Sequence, residues 1–184
     1  MTMAKNRVPA DDFCAGCGMC CDGTLHTKAR LQTQEDDRLL EAGGLERITE
    51  NNGKQYFRQP CPYLRDNLCS TYETRFSVCR AYRCAILQSF ENGLISSDDA
   101  QAKITVAKTL RAKIFAVSPN DASYASRYKS RLEIEGALPT LFGEERQKAL
   151  EKLLKFVALD TYLDTWFRKK GDQVGQAESP VTPD

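Results

Sequence analysis

The stretch Phe13-Cys14-Ala15-Gly16-Cys17-Gly18-Met19-Cys20-Cys21-Asp22-Gly23 puts four cysteines into eight residues. Its C-x2-C-x2-C part has the spacing of the first three ligands of bacterial ferredoxin clusters. Gly16 and Gly18 let the backbone fold tightly enough for closely spaced sulfurs to converge. Cys20 and Cys21 are adjacent, with Cα atoms about 3.8 Å apart. That lies below the disulfide window, which starts near about 4.4 Å, so these two are not expected to bridge each other. Four more cysteines follow at Cys61, Cys69, Cys79 and Cys84, and none occurs after Cys84.

The chain has 184 residues, a length that suits one domain or one domain with a helical extension. Twenty-six basic against 25 acidic residues exclude a globally basic nucleic-acid binder. No apolar run approaches the roughly 18–20 residues of a bilayer span, so no membrane partner is expected. Met1 to Asp12 contains no apolar segment of the secretory type, and the expected location is cytoplasmic. Thiols there stay reduced, so a cysteine cluster implies metal before disulfides.

All eight cysteines, Cys14, Cys17, Cys20, Cys21, Cys61, Cys69, Cys79 and Cys84, are candidate ligands. His26 is the only histidine, so a zinc reading rests on four-thiolate sites, of which eight thiolates can form two. An iron–sulfur reading takes the N-terminal trio and a remote fourth cysteine. Cys61-Pro62 resembles the fourth ferredoxin ligand in preceding a proline. The trio tips the balance toward a 4Fe–4S cluster over zinc, and a single such cluster uses only four of the eight. From Ala10 to Arg75 only 18 of 66 residues are apolar once cysteines are set aside. Metal is therefore expected to offset the cost of ordering this part of the backbone.

The pattern Cys14-x2-Cys17-x2-Cys20-Cys21, Cys61-Pro62-x-Leu64-x4-Cys69, Tyr72-x2-Arg75, Cys79-Arg80-x-Tyr82-x-Cys84 resembles the CxxCxxCC cysteine-cluster family, the YkgJ-like group. The resemblance covers about residues 13–90 and implies zinc or iron chelation. One departure is that Phe76 follows Arg75 where the family usually has proline, which is expected to loosen the turn without removing a ligand. Flagellin methylases resemble the same cluster, so the resemblance also admits a cluster-dependent protein-modifying enzyme. A zinc-stabilised module that docks protein or RNA through its helices is the third reading.

The expected fold is α+β and mostly α. A cysteine-rich metal-binding half (13–92) with a small β-hairpin packs on a helical half (93–170), between a flexible N-terminus (1–12) and a disordered tail (171–184). Cys14 to Gly23 reads as a knuckle, Thr33 to Ala42 as a helix, Leu45 to Gln59 as a hairpin around Asn51-Asn52-Gly53, and Cys61 to Cys79 as loop. Cys79 and Cys84 are five residues apart, about 140° on one helix, so one of them is expected to precede a helix running from about Tyr82 to Glu91.

Ser96 and Asp99 form a capping-box pair opening a helix with Ala100, Ile104, Ala107, Leu110, Ile114 and Val117 inward. A shorter helix fits Ala122 to Glu135. A long one fits Gly143 to Lys169, with Ala149, Leu150, Leu153, Leu154, Val157, Tyr162, Leu163, Trp166 and Phe167 inward. Seven basic residues between 101 and 131 (Lys103, Lys108, Arg111, Lys113, Arg127, Lys129, Arg131) read as a solvated helix surface, and a nucleic-acid partner is not expected. His26 reads as a surface or outer-sphere residue. Arg75, Arg80 and Arg83 read as offsetting thiolate charge.

Overall fold

The computed structural model describes residues 10–169. The expected flexible N-terminus and tail lie outside these residues, except that residues 10–12 open the first helix and Lys170 onward is not described. The fold is α+β and mostly α, with the cysteines confined to its N-terminal half.

Helix α1 (Ala10–Cys17) carries the first two cysteines and ends at Gly18, whose φ of +70° turns the chain at low cost because glycine lacks a Cβ. The expected knuckle is thus half helix and half turn. A three-stranded antiparallel sheet follows. Strand β3 (Gln55–Arg58) lies between β1 (Lys28–Arg30) and β2 (Ile48–Thr49), with Ile48 opposite Tyr56 and Ala29 opposite Phe57. The β2–β3 hairpin matches the sequence expectation. The third strand, β1, is only three residues long and carries no alternating signal.

The stretch read as loop holds a second ribbon, β4 (Leu64–Arg65) with β5 (Leu68–Cys69). Its two-residue turn, Asp66 and Asn67, has φ of 49° and 64°. These left-handed values are what a primed hairpin turn demands, and Asp and Asn tolerate them best after glycine.

Two cores hold the chain. The first joins Phe13, Met19 and Leu25 to Ile86, Leu87 and Phe90 of α4 (Ala85–Glu91), Ile104 and Ile114 of α5 (Ser97–Val117), and Phe156, Leu159 and Leu163 of α7 (Gly143–Trp166). It draws on residues before and after 92 alike. The second packs Leu31, Leu40 of α2 (Gln34–Ala42), Phe57, Cys61 and Phe76. Phe76 does not loosen its turn: it is 2% exposed and its ring stacks on Phe57 at 4.3 Å.

Helix α5 opens on the expected capping box, Asp99 N–H donating to Ser96 Oγ at 3.0 Å and Ser96 N–H to Asp99 Oδ2 at 3.1 Å. Its inward face is as expected except Val117, which is exposed. Helix α7 departs more. Leu163 and Phe167 are buried as expected, but Leu150, Leu154, Val157 and Trp166 are exposed, and Phe156 and Leu159, not among the expected residues, are buried. Both stripes have helical spacing. The one used is the one that packs on α5, where Ala100 and Ala107 permit close approach.

The basic run between 101 and 131 is largely consumed by the fold. Arg127, 1% exposed in α6 (Tyr124–Ala137), donates to Asp160 Oδ1 at 2.8 Å and to the Thr24 carbonyl at 3.1 Å. Arg111 donates to Thr24 Oγ1 at 2.8 Å and pairs with Asp22 at 3.1 Å. Tyr124 N–H donates to the Gly23 carbonyl at 2.7 Å. Lys103 lies over the Trp166 ring at 3.3 Å. The segment just after Cys21 is therefore clamped to α5 and α6 by charged side chains.

Asp36 links α2 to α3 (Ser77–Ala81), the helix that carries Cys79. Its carboxylate accepts from the N–H groups of Gln32 (2.8 Å), Thr33 (3.3 Å) and Ser77 (2.8 Å), and from Ser77 Oγ (2.6 Å). Burial pushes this carboxyl up, but the hydrogen bonds from Ser77, Gln32 and Thr33 outweigh it and hold it below its usual value. A carboxyl depressed on folding stabilises fully above its unfolded value of about 3.9 and loses that contribution as pH falls through the folded value. Asp36→Ala is expected to cost about 2–3 kcal/mol at pH 7. In urea titrations the difference from the parent chain should shrink below about pH 4, and a difference constant down to pH 2 would contradict this.

Candidate metal centre

Helical spacing brings the first pair together: Cys14 and Cys17 are three residues apart in α1 and share a face. After Gly18 the chain turns, with Cys21 N–H and Asp22 N–H both donating to the Gly18 carbonyl at 2.9 and 3.0 Å. This turn carries Cys20 and Cys21 to different neighbours. Cys20 and Cys17 pack against the first core together with Cys84, while Cys21 packs against the second together with Cys61 and Cys79.

The electrostatics divide the same way. Cys17 feels Cys84 and Cys14, and Cys20 feels Cys17 and Cys84, then Cys21 across the doublet, then Cys14. Cys21 feels Cys79, Cys61 and Cys69, and these three interact among themselves. By core and by the strongest neighbouring thiols, the cysteines sort into Cys14/Cys17/Cys20/Cys84 and Cys21/Cys61/Cys69/Cys79, with Cys14 and Cys69 joining on electrostatics alone and Cys20 and Cys21 linking the two groups.

Each remote cysteine has a local reason for its place. Cys61 N–H donates to the Cys21 carbonyl at 2.7 Å, joining the two segments directly. Cys69 is positioned by the β4–β5 pairing opposite Leu64. Cys79 sits in the short helix α3. Cys84 occupies the residue before α4, where the N–H groups of Leu87 and Ile86 act on its sulfur. One of the last two cysteines does precede a helix, as expected, but that helix starts at Ala85 rather than Tyr82. Cys84 is the remote cysteine that packs with Cys17 and Cys20, and Cys61 packs with Cys21.

All eight cysteines are free and all line one cleft of about 760 Å³. Burial pushes the Cys17 thiol up to about 12, with the charges of Cys84 and Cys14 adding to it; the Met19 N–H and Lys108 pull the other way. Burial likewise pushes Cys79 up to about 12, against the pull of Arg75. Cys20, Cys21, Cys61 and Cys84 are raised as well, burial first in each case. Crowded thiols largely withdrawn from water resist ionising together, and a bound cation reverses that preference by supplying the opposite charge. Among the described residues no group of three or more His, Cys, Asp or Glu side chains is drawn together to hold a single metal ion. The donor chemistry, soft sulfur without competing carboxylates, is that of zinc and iron–sulfur sites.

The other expected site residues separate. Arg75 lines the cleft, lies over Tyr72 at 3.8 Å and acts on Cys79. Arg80 and Arg83 turn away to Glu35 and Glu91. His26 lines the cleft, edge-on to Tyr82 at 5.0 Å. Lys108, which bonds the Gly16 carbonyl, and Lys169, which acts on Cys84, also serve the site. Nothing in the sequence near the cysteines pointed to these two lysines.

These features define a thiolate-rich, metal-binding domain backed by helices. The chain belongs to the CxxCxxCC family: the model of that family, described as "Putative zinc- or iron-chelating domain", matches residues 13–109. No curated protein and no solved structure matches the chain. No helix among the described residues is long and apolar enough to cross a membrane.

Cys14 is exposed, whereas Cys17, Cys20 and Cys79 are screened and held as thiols. In the reduced, metal-free protein at pH 7.5, iodoacetamide should label Cys14 about tenfold faster than these three. Peptide mass spectrometry over time reads the order, and equal rates would show that the sulfurs are not sheltered.

Proposed function

We propose that the chain holds metal at two four-thiolate sites, Cys14/Cys17/Cys20/Cys84 and Cys21/Cys61/Cys69/Cys79, and that the first takes a 4Fe–4S cluster. The observation that carries this reading is the three-plus-one composition of the first set: a C-x2-C-x2-C trio joined by one remote cysteine, the ligand pattern of such clusters. An iron–sulfur cluster supplies one-electron chemistry when bound, and the Leu87 and Ile86 N–H groups at Cys84 and the Met19 N–H at Cys17 are the donors that would tune it. Two zinc ions are the second reading, supported by the even four-and-four division, which is what two closed tetrahedral sites need. Thiols that must stay reduced to hold metal suit a reducing compartment, the cytoplasm.

Anaerobic reconstitution with iron and sulfide, followed by metal analysis and a visible spectrum, tests this. A brown protein is expected. Cys84→Ser should lose the absorbance of the first site, and Cys79→Ser should keep it. A colourless protein with two zinc ions per chain and no iron after reconstitution would leave the zinc reading. If Cys84→Ser and Cys79→Ser removed the same signal, the division into two sets would be wrong.

A further inference from the structure

The lining of the cleft carries a feature that metal binding does not use. In the β1–β3 ladder Lys28 stands opposite Arg58 and Arg30 opposite Tyr56. Residues directly opposite, and those two apart on one strand, share a sheet face, so Lys28, Arg30, Tyr56 and Arg58 lie side by side. The other face carries Ala29 and Phe57 into the second core. All four side-by-side residues line the cleft, and among the described residues no Asp or Glu lines it, although the chain has 25.

Like charges directly opposite one another on a sheet destabilise it, and here only part of the charge is balanced. Lys28 pairs with Glu50 and lies over the Tyr56 ring at 4.8 Å. Arg30 and Arg58 have no carboxylate partner among the described residues, and both are exposed. Nor do they serve the thiols, since the cations that act most on the cysteines are Lys108, Arg75 and Lys169. Two uncompensated guanidinium groups remain on one concave wall.

We propose that this face of β1 and β3, through Arg30 and Arg58 with Lys28 beside them, is a binding site for a small phosphate-bearing molecule. A phosphate monoester carries about −1.5 to −2 charges at neutral pH, which matches the two unbalanced arginines, and guanidinium groups meet phosphate oxygens in paired hydrogen bonds. The arginines line a concave cleft shared with the cysteines, and two guanidinium groups match one phosphate, which favours a metabolite-sized ligand over a polymer. The phosphate would sit in a cleft that the eight cysteines also line, so the remainder of the ligand would extend toward them.

Calorimetric titration of the full, metal-loaded chain tests this with inorganic phosphate and phenyl phosphate as probes and malonate as the carboxylate control. Saturable binding of both phosphates and none of malonate is expected. Arg30→Gln and Arg58→Gln should each weaken phenyl phosphate by about tenfold, and Lys113→Gln, an exposed change on α5, should not. Both arginines lie outside the sulfur sets, so metal content stays at the parent level and the test stands whichever metal is held. Absence of phosphate binding, equal binding of malonate, or loss that ignores the two arginines would overturn the proposal. Tighter binding of a single-stranded RNA oligonucleotide through the same arginines would replace the small molecule with a polymer and overturn it as well.

Discussion

One peptide bond, between Cys20 and Cys21, is where the two halves of the sulfur array diverge. Successive side chains cannot follow one direction, and the Gly18 turn sets them against different cores: Cys20 with Phe13 and Met19, Cys21 with Phe57 and Phe76. Everything else that organises the cleft holds that bond in place. The Cys61 N–H fastens the Cys21 carbonyl from the sheet side. From the helical side, Arg111, Arg127 and Tyr124 fasten Asp22, Gly23 and Thr24 within the next three residues. A buried ion pair such as Arg127–Asp160 is costly to break one partner at a time, on the order of 3–5 kcal/mol, so the clamp resists partial opening.

This arrangement gives the long helices a use that composition conceals. The chain is nearly neutral overall, yet its positive charges are placed unevenly. Those of α5 and α6 reach inward to carbonyls and carboxylates near the cysteine turn. Those of β1 and β3 face a cleft without acids among its described lining. Six of the thiols, Cys17, Cys20, Cys21, Cys61, Cys79 and Cys84, are screened enough that ionising them without a cation is unfavourable. Metal capture in such a site is coupled to loss of thiol protons, and the neighbouring N–H groups at Cys17, Cys61 and Cys84 favour the charged form once it exists.

Much of this was legible beforehand where the signal is local. The capping box at Ser96 and Asp99, the Asn52-Gly53 hairpin and the α5 stripe follow from neighbours within a few residues. The stripe of α7 was read correctly at Leu163 and Phe167 but not before them, because Leu150, Leu154 and Val157 repeat with the same period as Phe156, Leu159 and Leu163, and only the surface of α5 selects between them. Strand β1 was missed because three residues carry no period; it exists as the partner of β3. The Asp66-Asn67 turn was readable in principle, as both residues accept left-handed backbone.

The sequence by itself determined that the chain is α+β and mostly helical, that its function lies in eight cysteines within its first half, and that this pattern is one of metal chelation. Those conclusions rest on residue type and spacing, which survive any arrangement in space. Only the tertiary structure decided how the eight divide. Cys84 lies 64 residues beyond Cys20 and Cys61 lies 40 beyond Cys21, and no spacing rule says which remote sulfur returns to which half of the doublet. Two separate apolar cores, a two-residue β-turn and a clamp of Arg111 and Arg127 set these neighbours, because burial and hydrogen bonding act between residues that are distant in the chain.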